Sequence, residues 1–191
     1  MTKLEINDKI KNMIKKIDFG KIKIKTLSQN DLKKAKEFQE HINSLIEEEA
    51  MILLDQKQTL KEEQEWLKNE LKNIKRKVQV MLIAQDGNKI VGISEIKLKR
   101  GKESHVGELG ISVRKEYRGQ GLGKKLMAEI LKSAKKELKP KIKIVRLSVF
   151  PENKIAQNLY KKFGFKKVAV IPKQLQYQGE LVDEIVMIKE I

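Results

Sequence analysis

Apolar residues recur along this chain with two periods. Over residues 21–27 lysine alternates with isoleucine as far as Lys25, before Thr26 and Leu27, the period of two that gives a strand one buried face. The spacing then turns helical, with Leu32, Ala35, Phe38, Ile42, Leu45 and Ile46 on one face and Asp31 as the expected cap. A second helix is predicted from Thr59, where Thr59 and Glu62 have capping-box spacing and Trp66, Leu67, Leu71 and Ile74 follow on one side. Residues 79–85 and Lys89–Leu98 read as strands joined at Asp86-Gly87-Asn88, a hairpin signal. A strand over 107–113 comes next. The helix predicted over 121–138 carries Leu122, Leu126, Met127, Ile130, Leu131, Ala134 and Leu138 inward, and Pro140 lies beyond its end. A strand over 141–150 and a helix over 153–163 follow, with Gly164 as a left-handed cap. The last strands are predicted over 166–171 and 183–191, with residues 172–182 between them and a turn at Gln178-Gly179.

The resulting order, β-α-α-β-β-β-α-β-α-β-β, predicts an α/β fold: a mixed sheet with helices on both faces. Residues 1–19 place Ile6, Ile10, Met13, Ile14 and Ile17 at helical spacing between lysines, and Gly20 closes the segment. They are expected to form an amphipathic helical extension that packs on the domain or on a second subunit of a homodimer, leaving 20–191 as one domain. Phe19 is its sole aromatic anchor, so a membrane partner is not expected.

Charge and composition narrow the chemistry. The chain has 191 residues, 42 Lys+Arg against 26 Asp+Glu, and a net charge of +16. Charged residues make up 36%, against about 25% in ordinary domains. Such a field attracts polyanions, a nucleotide cofactor or nucleic acid. A Lys- and Glu-rich chain without cysteine also has a thermophile-like composition. The absence of cysteine excludes disulfides, thiolate metal sites and cysteine nucleophiles, and no metal site is expected. Apolar runs such as Val80 to Ala84 are strand-sized, so a cytoplasmic location is expected. Aromatics at 5% leave little for base stacking, which places nucleic acid below a nucleotide cofactor as partner.

Arg118-Gly119-Gln120-Gly121-Leu122-Gly123 sits between a predicted strand and a predicted helix. A helix start presents unpaired N–H groups and a partial positive charge. Gly121 and Gly123 lack a Cβ and would let a pyrophosphate approach the backbone, while Arg118, Lys124 and Lys125 add charge. The loop is neither a Walker A nor a Rossmann fingerprint, because Lys125 follows Gly123-Lys124 in the first comparison and Lys124 stands where the second needs glycine.

Residues 113–123 resemble the acetyl-CoA motif of the GNAT superfamily of N-acetyltransferases, Gln/Arg-x-x-Gly-x-Gly/Ala. Residues 149–165, with Asn153, Ala156, Tyr160 and Gly164-Phe165, are similar to the family's second block. The resemblance covers 21–191 by element order. It implies a mostly antiparallel sheet with a splay between strands 4 and 5, and an acetyl-CoA-dependent N-acetyltransferase acting on a primary amine (a protein N-terminus, a lysine or a small amine) by direct attack in a ternary complex. It places Ile111, Ser112 and Val113 against pantetheine, Gly119 to Lys124 around the pyrophosphate with Arg118 beside them, Asn153 on the cofactor arm and Tyr160 near the thioester sulfur.

The chemistry fits these residue types. The amine attacks the thioester directly, so no enzyme nucleophile is needed. The backbone N–H near Val113 is a donor for the oxyanion. A phenol near 10 can protonate a thiolate near 8.5, which makes Tyr160 the expected acid. Glu108, on the strand before the loop, is the expected base, with His105 behind it. Alternative readings are a non-catalytic acyl-CoA-binding module and a basic nucleic-acid-binding protein.

Overall fold

The computed structural model describes residues 21–138 and 140–191. The helix expected over 1–19 lies outside the described residues. The elements are β1 (Ile22–Thr26), α1 (Ala35–Glu47), α2 (Leu60–Lys75), β2 (Gln79–Asp86), β3 (Lys89–Leu98), β4 (Val106–Val113), α3 (Leu122–Glu137), β5 (Ile144–Val149), α4 (Lys154–Lys162), β6 (Lys166–Tyr177) and β7 (Glu180–Glu190). Their order is the one the hydrophobic pattern predicts. All strands join one sheet in the order β1-β2-β3-β4-β5-β7-β6, antiparallel throughout except for β4 with β5.

Two apolar layers sandwich the sheet. On one face α3 lays Leu122, Leu126, Met127, Ile130 and Ala134 against Leu109, Val145, Leu147 and Met187, and Tyr160 of α4 joins the same layer. On the other, α1 and α2 place Phe38, Leu67 and Leu71 over Met81, Ile83 and Ile90. Period-two burial in the strands and the heavily apolar helix stripes thus meet, as the sequence pattern requires.

Two local expectations change. Asp31 does not cap α1. It occupies the third position of a 3₁₀ turn, Gln29–Lys34, where its carboxylate accepts from the backbone and hydroxyl of Ser28 at 3.0 and 2.7 Å and pairs with Lys25. The final hairpin is also longer than predicted. Pro172 does not end β6, because the ladder to β7 shifts register between Ile171 and Leu175 and the proline falls in that irregularity, where a missing N–H costs nothing. Lys173 takes a left-handed φ of 53° there, and its N–H donates to Asp183 Oδ1 at 3.0 Å.

Candidate active site

β4 and β5 pair only over Val106–Ile144, Gly107–Val145 and Glu108–Arg146. Beyond that the two strands part: β4 runs on to Val113 along β3, and β5 to Val149 along β7. The ladder parity fixes what faces the split. Val106 O and Arg114 N bond to β3, so the even residues between them do the same and the odd residues turn toward β5; the Leu109 N–H closes the last rung of the β4–β5 ladder, and the Leu109 C=O and the groups of Ile111 and Val113 turn toward the split. Of the three residues expected along the cofactor, Ser112 therefore offers the split no backbone group. Its side chain points to the α1 face, where Oγ lies 2.9 Å from His41 Nε2.

At the far end of β4 the chain turns through a short 3₁₀ segment into α3. Gly119 and Gly121 have φ of 71° and 92°, a region where a side chain is strained, and among the described residues nothing beyond its chain neighbours comes within 4 Å of a Cβ built on Gly119. The start of α3 has no side-chain cap, so its first N–H groups remain directed out of the helix. A Cβ on Gly123 would touch Leu159 and Val113 at 3.7 and 3.9 Å, ordinary contacts that bring α3, α4 and β4 together at the loop. A groove lined by Gly121, Lys124, Lys125, Ala128 and Phe163 leads from the loop. It adjoins another, through Ala128 and Phe163, that adds Lys132, Lys135, Lys162 and Lys189.

Arg118 has two protein partners. Its Nε donates to the carbonyl of Val113 at 2.8 Å and its guanidinium pairs with Glu48, just past α1. Gln120 Nε2 donates to the Glu116 carbonyl at 3.0 Å. Asn153 is the cap of α4, its Oδ1 accepting from Ala156 N at 3.1 Å, which leaves the amide nitrogen to donate. Tyr160 is buried, its ring 6.1 Å from that of Phe165, and burial pushes the phenol up to about 12. The hydroxyl is thus fully protonated at any physiological pH. The gap to a thiolate near 8.5 is then roughly 5 kcal/mol, larger than a free phenol would give.

Glu108 lies at the vertex of the split, its carboxylate 4.0 Å from Arg146 of β5. Burial raises its pKa, with Arg146 and Lys99 pulling the other way. His105 is exposed and contributes its carbonyl to β5 rather than a placed ring.

Two side-chain clusters were not anticipated. His41 is fully buried, and burial first, with the Arg114 guanidinium second, holds its pKa down at about 3, so the ring against Ser112 is neutral. Glu95 of β3 faces the α1/α2 side beside Gly110, where Gln79 Nε2 donates to it at 2.6 Å. The same amide donates to buried Glu70 of α2, which Lys97 holds at 3.1 Å. A carboxylate at mid-strand was the only sequence signal for Glu95. Among the described residues no group of His, Asp and Glu could hold a metal ion.

The split strand pair and glycine-opened helix start define an acyl-transfer fold, and the comparisons agree. The model of the acetyltransferase (GNAT) family matches residues 42–165, and the chain belongs to that family. An L-amino acid N-acetyltransferase of Escherichia coli K12, AaaT, is 27% identical over 106 residues, which are 56% of this chain and 64% of that protein. The match thus spans less than two thirds of that relative. A GNAT-family acetyltransferase structure from Streptococcus pneumoniae superposes with a TM-score of 0.77 at 26% identity, over 89% of this chain and 99% of that one. The yncA structure of Salmonella typhimurium, solved with its cofactor acetyl-CoA, shares the fold at TM-score 0.75 and 17% identity, over 89% and 94% of the two chains.

Proposed function

We propose that this chain transfers the acetyl group of acetyl-CoA to a primary amine by direct attack within a ternary complex. The observation that carries the reading is the parting of β4 from β5 directly ahead of the uncapped, glycine-opened start of α3. The residues present suit that cosubstrate. The carbonyls of Leu109 and Ile111 and the N–H groups of Ile111 and Val113 would pair with the amides of a pantetheine arm, since a strand edge without a neighbour must bond something. Gly119, Gln120, Gly121, Leu122, Gly123 and Lys124 would hold the pyrophosphate on helix N–H groups, and the lysine-lined groove beyond would take the nucleotide end. Arg118 would shape the entrance through its bond to the Val113 carbonyl. Asn153 would donate its amide to the arm.

In the reaction the amine nitrogen attacks the thioester carbonyl and the C–S bond breaks. The oxyanion would sit on a split-facing N–H such as that of Ile111 or Val113. With its hydroxyl at about 12, Tyr160 would serve the departing sulfur as a hydrogen-bond donor that yields its proton late, since desolvation in the split also strengthens the thiolate as a base. Glu108 would stand near the amine. The acceptor enters from the α1/α2 face, where Glu108, Gly110 and Ser112 lie.

The name of the Escherichia coli relative suggests a free amino acid as acceptor, and Arg146 beside the vertex could meet its carboxylate. A protein N-terminus and a lysine fit the same face. The test has two arms. Acetyl-CoA should raise the melting temperature of the wild type by mass action, and a Gly121→Asp variant should lose that rise, because charge and bulk would meet the pyrophosphate. Thiol release should then be followed over L-amino acids, polyamines and N-terminal peptides. No melting shift at millimolar acetyl-CoA overturns the reading.

A further inference from the structure

We infer that Glu95, on β3, is the group that takes the proton from the incoming ammonium, reaching the acceptor face over the bare backbone of Gly110. The inference rests on the proposed amine acetylation and adds the residue that prepares the nucleophile.

The geometry begins with Gly110. It pairs with Glu95 across the β3–β4 ladder, and a Cβ there would stand 3.4 Å from Glu95 Cγ and Oε1. Gly110 is exposed although it lies inside a seven-stranded sheet, so no described residue of the α1/α2 layer covers it. Its neighbours turn the Leu109 carbonyl and the Ile111 N–H toward the split, the Leu109 N–H being taken by the last rung of the β4–β5 ladder. Glu95 is thus one strand, about 5 Å, from the backbone against which a thioester would lie, within reach of an amine through a single water.

The carboxyl is held in place. Gln79 Nε2 fixes Oε2 and leaves Oε1 toward Gly110. The groups around it come from four elements: Glu70 on α2, Gln79 on β2, Lys97 on β3 and, diagonally across the ladder, Glu108 on β4. Lys97 pairs with Glu70 at 3.1 Å, and the Glu70 carboxylate stands beside Glu95. Burial, and then the Glu70 charge, lift Glu95 to about 7, which suits a base at neutral pH. Glu108 has the Arg146 cation opposing its protonation and no such pinning bond.

The proton count closes. An R–NH3⁺ gives one proton to the Glu95 carboxylate, which later returns it to water. The free amine forms the C–N bond, and the nitrogen then carries a second proton that leaves as the C–S bond breaks. That equivalent ends on the CoA sulfur, by way of the Tyr160 hydroxyl, so the products are the acetamide, the thiol and one released proton.

The experiment uses the full chain with acetyl-CoA and the best acceptor from the amino acid, polyamine and peptide panel. Wild-type single-turnover rates should rise with pH through a midpoint near 7. Glu95→Gln, which keeps the shape and a hydrogen bond to Gln79, should leave the acetyl-CoA melting shift intact. It should slow the chemical step by about 10²–10⁴ and erase that midpoint, with recovery only as the amine deprotonates itself at high pH. Glu70→Gln removes the neighbouring negative charge and should move the midpoint to lower pH, by about one unit or more, while the rate above it persists. A packing role would leave the midpoint unmoved in both. Should Glu95→Gln disturb folding, Glu70→Gln carries the test alone. A Glu95→Gln rate and profile like wild type, or a midpoint unmoved in Glu70→Gln, overturns the proposal. A wild type without any acetyl-CoA melting shift overturns the acetylation reading beneath it, and this arm tells the two failures apart.

Discussion

The burial of Tyr160 separates two roles that a sequence cannot distinguish. A phenol held at about 12 is protonated throughout the working range, so it should add no alkaline limb to the rate profile below pH 10. Tyr160→Phe keeps the ring against Phe165 and removes only the donor. Acetyl-CoA affinity and melting temperature are expected to stay close to wild type, while the single-turnover rate falls by about 10²–10⁴. A Tyr160→Phe enzyme with normal single-turnover chemistry would reduce the residue to core packing. At this scale the motif residues were legible and their partners were not. The loop at Gly119 and Gly121 could be read because it depends on near neighbours in the chain, whereas Asn153, expected on the cofactor arm, was not read as the cap of α4. The bond between His41 and Ser112 and the cluster of Glu70, Gln79, Glu95 and Lys97 join residues from separate elements, and only the strand register brings them together.

Among the elements, α2 contains a local conflict. Its start obeys the capping rule, with Thr59 Oγ1 accepting from Glu62 N and Glu62 accepting from Thr59 N at 2.8 Å. One residue later Glu63 is buried, at 6% exposure, and burial alone pushes its carboxyl up to about 7. An acid raised in the folded state is protonated in both states below about 4.5. Between 4.5 and 7 the unfolded chain loses its proton first and the fold loses stability; above about 7 the penalty is constant. Glu63→Gln should therefore raise the melting temperature at pH 8 and leave it unchanged at pH 4. The gain should be about 1–2 kcal/mol, since the group keeps part of its contact with solvent. Equal shifts at both pH values would refute the ionisation account. The order of elements followed from periodicity, and so did the caps at Thr59 and Gly164. The length of the last hairpin did not. Pro172 breaks a strand in a local reading, whereas the register irregularity and the Asp183 side chain allow β6 to pass it.

Across the described residues, α3 and α4 carry a surplus of lysine, whereas α1 and α2 mix exposed lysines with glutamates. α3 and α4 pack on one side and carry exposed Lys124, Lys132, Lys135, Lys136, Lys154, Lys161 and Lys162. Carboxylates of Glu70, Glu95 and Glu108 lie on the other side, where α1 and α2 pack. The lysine surplus of α3 and α4 draws an anionic cosubstrate to that face and raises its encounter rate without new contacts. The same lysines could hold RNA loosely by counterion release, and the surplus of +16 makes that the strongest rival for them. The two uses differ in salt response and in competition. A labelled single-stranded RNA of about 20 nucleotides should bind no tighter than about 10⁻⁴ M in roughly 0.15 M salt, the weak end of nonspecific binding. At low salt, RNA seated along the lysine groove should be displaced by acetyl-CoA, because the groove begins at the Gly121 loop. Micromolar affinity at physiological salt, with a steep salt slope and no displacement by acetyl-CoA, would mean that the basic face serves nucleic acid instead of the cosubstrate.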